Sequence, residues 1–186
     1  MISDKEKWDT RHRDNPLPTI PLELLCKHLQ KAQVGRALDI ACGMGRNSKF
    51  MLDCGFNVDS VDISSYAIES LQGIKNLNAQ CVDLDTFKIS PQSYDVICNS
   101  YFLERRLFPY MIEGLKRGGI LVFETFAKSD VESHNAFASD SNHLLRKNEL
   151  LRAFLDLEIL FYEEALSMRH LTQSLALVAR LVARKV

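Results

Sequence analysis

The chain has 186 residues, 46% of them hydrophobic, 25% charged and 9% aromatic, a size that predicts one domain over residues 1–186 with a core of its own. With 23 Lys and Arg against 24 Asp and Glu, the formal net charge of −1 argues against a nucleic-acid binder, whose affinity rests on concentrated positive charge. Eight glycines and five prolines are too few for a disordered or fibrous chain.

The first residues, Met-Ile-Ser-Asp-Lys-Glu-Lys-Trp, carry charge where a signal peptide needs an apolar run. No window approaches the ~20 apolar residues of a membrane span. Residues 36–42 (Arg-Ala-Leu-Asp-Ile-Ala-Cys) are an apolar run entering a glycine turn and predict a buried strand. A helix follows over 47–54, with Phe50, Met51 and Cys54 on one face and Gly55 as its stop. Residues 56–61 predict the second strand. Ser64 is placed to cap a second helix, in which Ala67, Ile68 and Leu71 recur at helical spacing. Strands are predicted at 79–82 and 94–99, then a helix at 105–117 with Leu107, Tyr110, Met111 and Leu115 inward, ended by Gly118 and Gly119. Residues 120–126 (Ile-Leu-Val-Phe-Glu-Thr-Phe) are apolar on both faces, as in a strand covered by helices on both sides. Alternation of this kind predicts an α/β fold, a parallel sheet with right-handed crossovers.

The last third changes character. Residues 128–142 are polar, with Ser129, Asp130, Ser133, His134, Ser139, Asp140 and Ser141, and predict a long loop of the type that serves as lid or binding segment. A helix is predicted at 147–154 and strands at 157–166 and 174–186. The final stretch fits two patterns: Ala176, Val178, Arg180, Val182 and Arg184 alternate as in a strand, while Arg180 and Arg184 also share a helix face. Cys26, Cys42, Cys54, Cys81 and Cys98 include no C-x-x-C pair. They read as reduced thiols of a cytoplasmic protein, with no metal site among them.

The chemistry is concentrated at residues 38–48, Leu-Asp-Ile-Ala-Cys-Gly-Met-Gly-Arg-Asn-Ser. A strand runs into Gly43-x-Gly45 and a helix leaves it, which aims free backbone N–H groups at a ligand and lets that ligand approach the main chain. Asp62 ends the second strand and is placed to accept hydrogen bonds from both hydroxyls of a ribose. Asp83 ends the third strand at the same carboxyl edge. Acids at successive strand ends beside a glycine turn point to an adenosine-containing cofactor. A dinucleotide fingerprint would show G-x-G-x-x-G, whereas Ser48 occupies the third position here. Asp39, just upstream, would repel a pyrophosphate and suit the ammonium and sulfonium of S-adenosyl-L-methionine.

Residues 38–48 resemble motif I of the Rossmann-like (class I) S-adenosylmethionine-dependent methyltransferases. Asp62 matches their ribose-binding acid, and Asp83-Leu84 their adenine-contacting pair. Residues 94–99 (Tyr-Asp-Val-Ile-Cys-Asn) resemble motif IV, and 115–123 the segment entering the fifth strand. Gly43-Met-Gly-Arg-Asn-Ser48 and Trp8-Asp-x-Arg11 are similar to small bacterial methyltransferases related to tellurite-resistance and thiopurine enzymes. The resemblance implies a doubly wound seven-stranded sheet of order 3-2-1-4-5-7-6, mostly parallel, with the C-terminal strand antiparallel. It implies a cofactor-binding core over 36–126. Within it, contacts are expected from Asp39, Ala41, Cys42, Gly43, Gly45, Arg46 and Asn47, then from Asp62, Ile63, Asp83, Leu84 and Asn99. Trp8 and Arg11 would add contacts from an N-terminal lid over 1–21. Ala41 departs from the glycine most common there, and His12 from the aromatic after Arg11.

Methyl transfer is an in-line displacement that needs positioning more than a base. Asn99 and Tyr101, after the fourth strand, are the candidate catalytic residues. Arg105, Arg106, Glu124, Thr125, His134 and His143 are further candidates for the acceptor side, and Arg13 for the cofactor carboxylate. The short chain points to a small-molecule methyl acceptor rather than a nucleic acid or a membrane, and to a monomer or homodimer. Two other readings stay open: a cofactor-binding protein without turnover, and an NAD(P)-dependent oxidoreductase.

Overall fold

A computed structural model describes residues 4–14, 18–135, 141–168 and 174–186. Helix α1 (Asp4–Asp14) and α2 (Glu23–His28) precede strand β1 (Arg36–Ile40). Then follow α3 (Arg46–Asp53), β2 (Asn57–Asp62), α4 (Ser65–Glu69), β3 (Leu77–Cys81), β4 (Tyr94–Ser100), α5 (Leu107–Gly114) and β5 (Leu115–Phe126). Helix α6 (Glu149–Ala153) leads to β6 (Glu158–Met168) and β7 (Leu175–Arg184). The seven strands form one sheet of order β3-β2-β1-β4-β5-β7-β6. Strands β1 to β5 are parallel, and β7 runs antiparallel between β5 and β6. The expected Rossmann-like topology is therefore observed, and the ambiguous C-terminal stretch is a strand. No described helix is long and apolar enough to cross a membrane.

Alternating side chains of the buried strands feed opposite faces. Leu38 and Ile40 join a core with Leu107, Met111, Leu150 and Phe154, from α5, α6 and the residue after it. Ala37 and Val96 join another with Leu24, Leu25 and Met51, from α2 and α3. The ends of the predicted 105–117 helix are corrected: α5 starts at Leu107 and stops at Gly114. Leu115 turns extended and pairs with Tyr94, and Lys116 Nζ reaches Asp95 Oδ2 at 2.7 Å, so sheet pairing overrides helical spacing. The polar segment begins as predicted but holds two short 3₁₀ turns, Glu132–His134 and Ser141–His143. Ser139 and Asp140 in that segment, and residues 1–3 and 15–17 of the predicted lid, lie outside the described residues.

Gly45 heads α3 with φ 75°, and a Cβ built there would lie 2.6 Å from Cδ2 of the fully buried Leu71. Gly45→Ala therefore combines left-handed backbone strain with overpacking. The expected loss is about 1–3 kcal/mol of stability, read by chemical denaturation.

Candidate functional site

A cavity of about 230 Å³ opens at the carboxyl ends of the central strands. Its floor is the turn after β1 (Ala41, Cys42, Gly43, Met44, Arg46), with Asp62 and Ile63 after β2 and Leu84 after β3. Ser100, Tyr101 and Phe102 after β4, Phe126 at the end of β5, and Met168 and Val178 form another wall. Trp8, Arg11 and His12 of α1 face it as well.

The turn is held in an unusual backbone state. Ala41, Gly43 and Gly45 all have positive φ, at 53°, 52° and 75°. Ala41 thus sits where glycine costs least, which accounts physically for the glycine usual at that place. The Gly43 N–H donates to Asp62 Oδ2 at 2.8 Å, and the Ser64 N–H donates to Asp62 Oδ1 at 2.9 Å. Each oxygen keeps acceptor capacity. Ser64 caps α4 as predicted, its Oγ accepting from the Ala67 N–H.

Helix α1 docks on that same cap. Ser64 Oγ donates to Asp9 Oδ1 at 2.7 Å, the Tyr66 N–H donates to the same oxygen at 3.1 Å, and Lys5 pairs with Oδ2. Burial pushes the Asp9 carboxyl up, but bonds from Ser64, Lys5, Tyr66 and Ser65 outweigh it and hold the group below the usual carboxylate range. The docking turns Trp8 and Arg11 to the cavity, with the guanidinium 5.0 Å from the indole centroid. Arg13 instead lies over Tyr66, and it does not line the cavity. His12 is buried beside Trp8 with no partner for Nδ1 among the described residues. Burial lowers its pKa against the opposing charge of Asp62, favouring the neutral imidazole.

Of the predicted residues, Trp8, Arg11, Ala41, Cys42, Gly43, Arg46, Asp62, Ile63, Leu84 and Tyr101 line the cavity, whereas Asp39, Gly45, Asn47, Asp83 and Asn99 do not. Asp39 is the main correction. Its carboxyl is fully buried and accepts from Ser48 Oγ at 2.5 Å, and Ser60 Oγ donates to Ser48 Oγ in turn. It braces the turn internally, so the preference for a cationic ligand cannot be drawn from it. Asn47 is also structural, accepting from the Leu22 N–H and donating to Ser100 Oγ. Asp83 turns onto the Asp85 N–H. Asn99 donates from Nδ2 to the Phe102 carbonyl at 2.8 Å, and its buried Oδ1 has no partner among the described residues.

Arg105 does not face the cavity. It pairs with Glu149 and donates to the carbonyls of Asn142 and Leu144, pinning the polar segment to the residues after β4. Arg106 donates to the Leu84 and Phe87 carbonyls. Thr125, His134 and His143 are not among the lining residues. Sequence reasoning missed Met44, Phe102, Met168 and Val178, whose apolar character gave no functional signal. It also missed the partners of Glu124. That acid in an apolar strand was legible as a charge needing compensation, but Arg180, which supplies it, stands 56 residues away.

The model of the tellurite resistance protein TehB family matches residues 24–180. The chain belongs to the TehB family. It is 29% identical over 150 residues to a protein of Haemophilus influenzae named as a probable S-adenosyl-L-methionine-dependent methyltransferase TehB, covering 74% of this chain and 51% of that protein. It is 26% identical over 182 residues to hemagglutinin 1 of Eikenella corrodens, covering 91% of this chain and 59% of that one. The chain thus spans only between half and three fifths of the length of these two relatives. The crystal structure of TehB from Haemophilus influenzae superposes with a TM-score of 0.78 at 24% identity, covering 97% of this chain and 67% of that one. The shared fold is the Rossmann-like methyltransferase fold.

Burial pushes the Asp39 carboxyl up from 3.8 to about 7, despite the Ser48 hydrogen bond. The folded state therefore keeps a proton that the unfolded chain has released, and stability falls as pH rises from 3.8 to about 7. Asp39→Asn retains an oxygen for Ser48 and removes that ionisation. Its melting temperature relative to the wild type is expected to be higher at pH 8 than at pH 5; an offset equal at both would show Asp39 ionised throughout.

Proposed function

We propose that this TehB-family chain is an S-adenosylmethionine-dependent methyltransferase that transfers its methyl group to a small-molecule acceptor by in-line displacement. The observation that carries the reading is Asp62: a buried acid on the cavity wall, fastened to the left-handed glycine turn, at the strand end where a ribose is held in such sheets. The relative named as a probable methyltransferase supports the same activity.

The residues fit the cofactor. Asp62 has lone pairs left for two ribose hydroxyls. Ile63 and Leu84 offer apolar faces to an adenine ring, and Gly43 allows close main-chain approach. Arg11, spread on Trp8, supplies a cation for a carboxylate. When bound, S-adenosylmethionine supplies a methyl group activated by its sulfonium. What the chain's residues contribute is alignment and exclusion of water by Phe102, Phe126, Met168 and Val178. Glu124, the acid behind this wall, is bonded to Tyr101 and Arg180 and is not placed as a free general base.

The small acceptor rests on this apolar-walled cavity. Chain length no longer argues for it, because these relatives are longer. We read residues 1–186 as one domain with a core at 36–126. We take the lid predicted over 1–21 to act through α1, which Asp9 latches. The chain acts in the cytoplasm as a monomer or homodimer without nucleic acid.

Calorimetry with S-adenosylmethionine, S-adenosylhomocysteine and NAD tests the cofactor. Binding of NAD but neither sulfur compound would overturn the reading. Turnover on thiols, selenite, tellurite and carboxylates then separates an enzyme from a binder. Asp62→Ala is expected to weaken S-adenosylhomocysteine binding by about 1–3 kcal/mol. Deleting residues 1–13 is expected to lower the same affinity, and an unchanged value would reject the lid.

A further inference from the structure

Tyr101, the first residue past β4, is held more firmly than a cavity wall requires. Its φ of 56° is a left-handed value that a tyrosine adopts only when its surroundings compel it. Its N–H donates to the Glu124 carbonyl at 2.7 Å, its ring lies 5.0 Å from that of Phe126, and its hydroxyl donates to Glu124 Oε1 at 2.5 Å. Glu124 is 4% exposed and takes Arg180 Nε on its other oxygen at 3.1 Å, and Arg180 Nη1 reaches Glu163 Oε2 at 2.8 Å.

Sheet register aligns these groups. Ser100 pairs with Glu124, Glu124 with Arg180 and Arg180 with Glu163, so one polar row crosses β4, β5, β7 and β6. Only Ser100 and Tyr101, at the β4 end, reach the cavity. A buried ion pair gives little net stability in itself, while an unmatched charge there would be costly. The row's distinctive product is a tyrosine fixed in a strained position, with its hydroxyl turned away from solvent.

We propose that Tyr101 sets acceptor specificity in this cavity, and that Glu124 and Arg180 are its positioning residues. The inference rests on the methyltransferase reading and adds an acceptor-side wall to it. The hydroxyl is committed to Glu124, so Tyr101 acts through the face and edge of its ring and not as a proton acceptor. Burial, followed by the adjacent Glu124 charge, holds the phenol well above its ordinary pKa.

The test compares Tyr101→Phe, Glu124→Leu and Glu124→Gln with the wild-type chain. S-adenosylhomocysteine affinity is measured by calorimetry, and methylation is measured with 2-mercaptoethanol, selenite, tellurite and benzoate as probes. Glu124→Leu is expected to raise the KM of the accepted probe about tenfold, with kcat and S-adenosylhomocysteine affinity within about twofold. Glu124→Gln, whose amide oxygen still accepts the phenol, recovers most of that loss. In the Tyr101→Phe background the Leu and Gln variants no longer differ, because the bond they act through is gone. If Glu124→Leu does not fold, Tyr101→Phe alone carries the test, since it leaves the Glu124–Arg180 pair in place and raises the same KM.

An unchanged KM overturns the inference. So does a Leu–Gln difference that persists without the hydroxyl, or a wild-type chain that binds S-adenosylhomocysteine and methylates no probe. A wild-type chain that does not bind S-adenosylhomocysteine overturns the methyltransferase reading itself.

Discussion

Asp62 gives each carboxylate oxygen to a main-chain N–H, Gly43 in the turn after β1 and Ser64 at the entry to α4. The two loops that edge the cavity are thereby set at one spacing by a single side chain. The positive φ values of Ala41 and Gly43 persist because that anchor over-determines them. Ser64 passes the constraint outward, since its hydroxyl bonds Asp9 and seats α1. An acid that would serve a ligand has therefore first organised the floor and the side wall that would receive it.

The parts legible in the sequence were those encoded locally. The glycine turn, the acid closing β2 and the Ser64 cap each lie within a few residues of the backbone they shape, and period-2 and period-3.6 patterns located most elements. The parts that were not legible depend on pairing at a distance. Residues 115–117 fit a helical pattern, but Leu115 is claimed by Tyr94 across the sheet. The C-terminal stretch satisfied two periods at once, and only insertion between β5 and β6 selects one.

Asp39 and Asp62 show how much the side of the backbone matters. Both sit at or near the carboxyl end of a central strand, and composition alone gives them the same promise. Asp62 lies on the cavity wall, whereas Asp39 is enclosed with Ser48 and Ser60 and bonded to the former. Being fully enclosed, the Asp39 carboxyl favours its neutral form, while Asp62 accepts from two main-chain N–H groups. Similar residues at similar strand positions have thus become a brace and a candidate ligand.

Glu124 extends that contrast to the other half of the sheet. It is as enclosed as a core residue, yet its charge is met by Arg180 and the Tyr101 hydroxyl. Apolar side chains there would pack at least as well and need no matching. What they could not do is hold a hydroxyl in one direction and thereby fix a ring at positive φ. The Asp62 end fastens main chain and the Glu124 end fastens a side chain, and in both a carboxylate is used where direction, more than attraction, is required. A cavity whose two ends are each fixed in this way is suited to holding what enters it in one orientation.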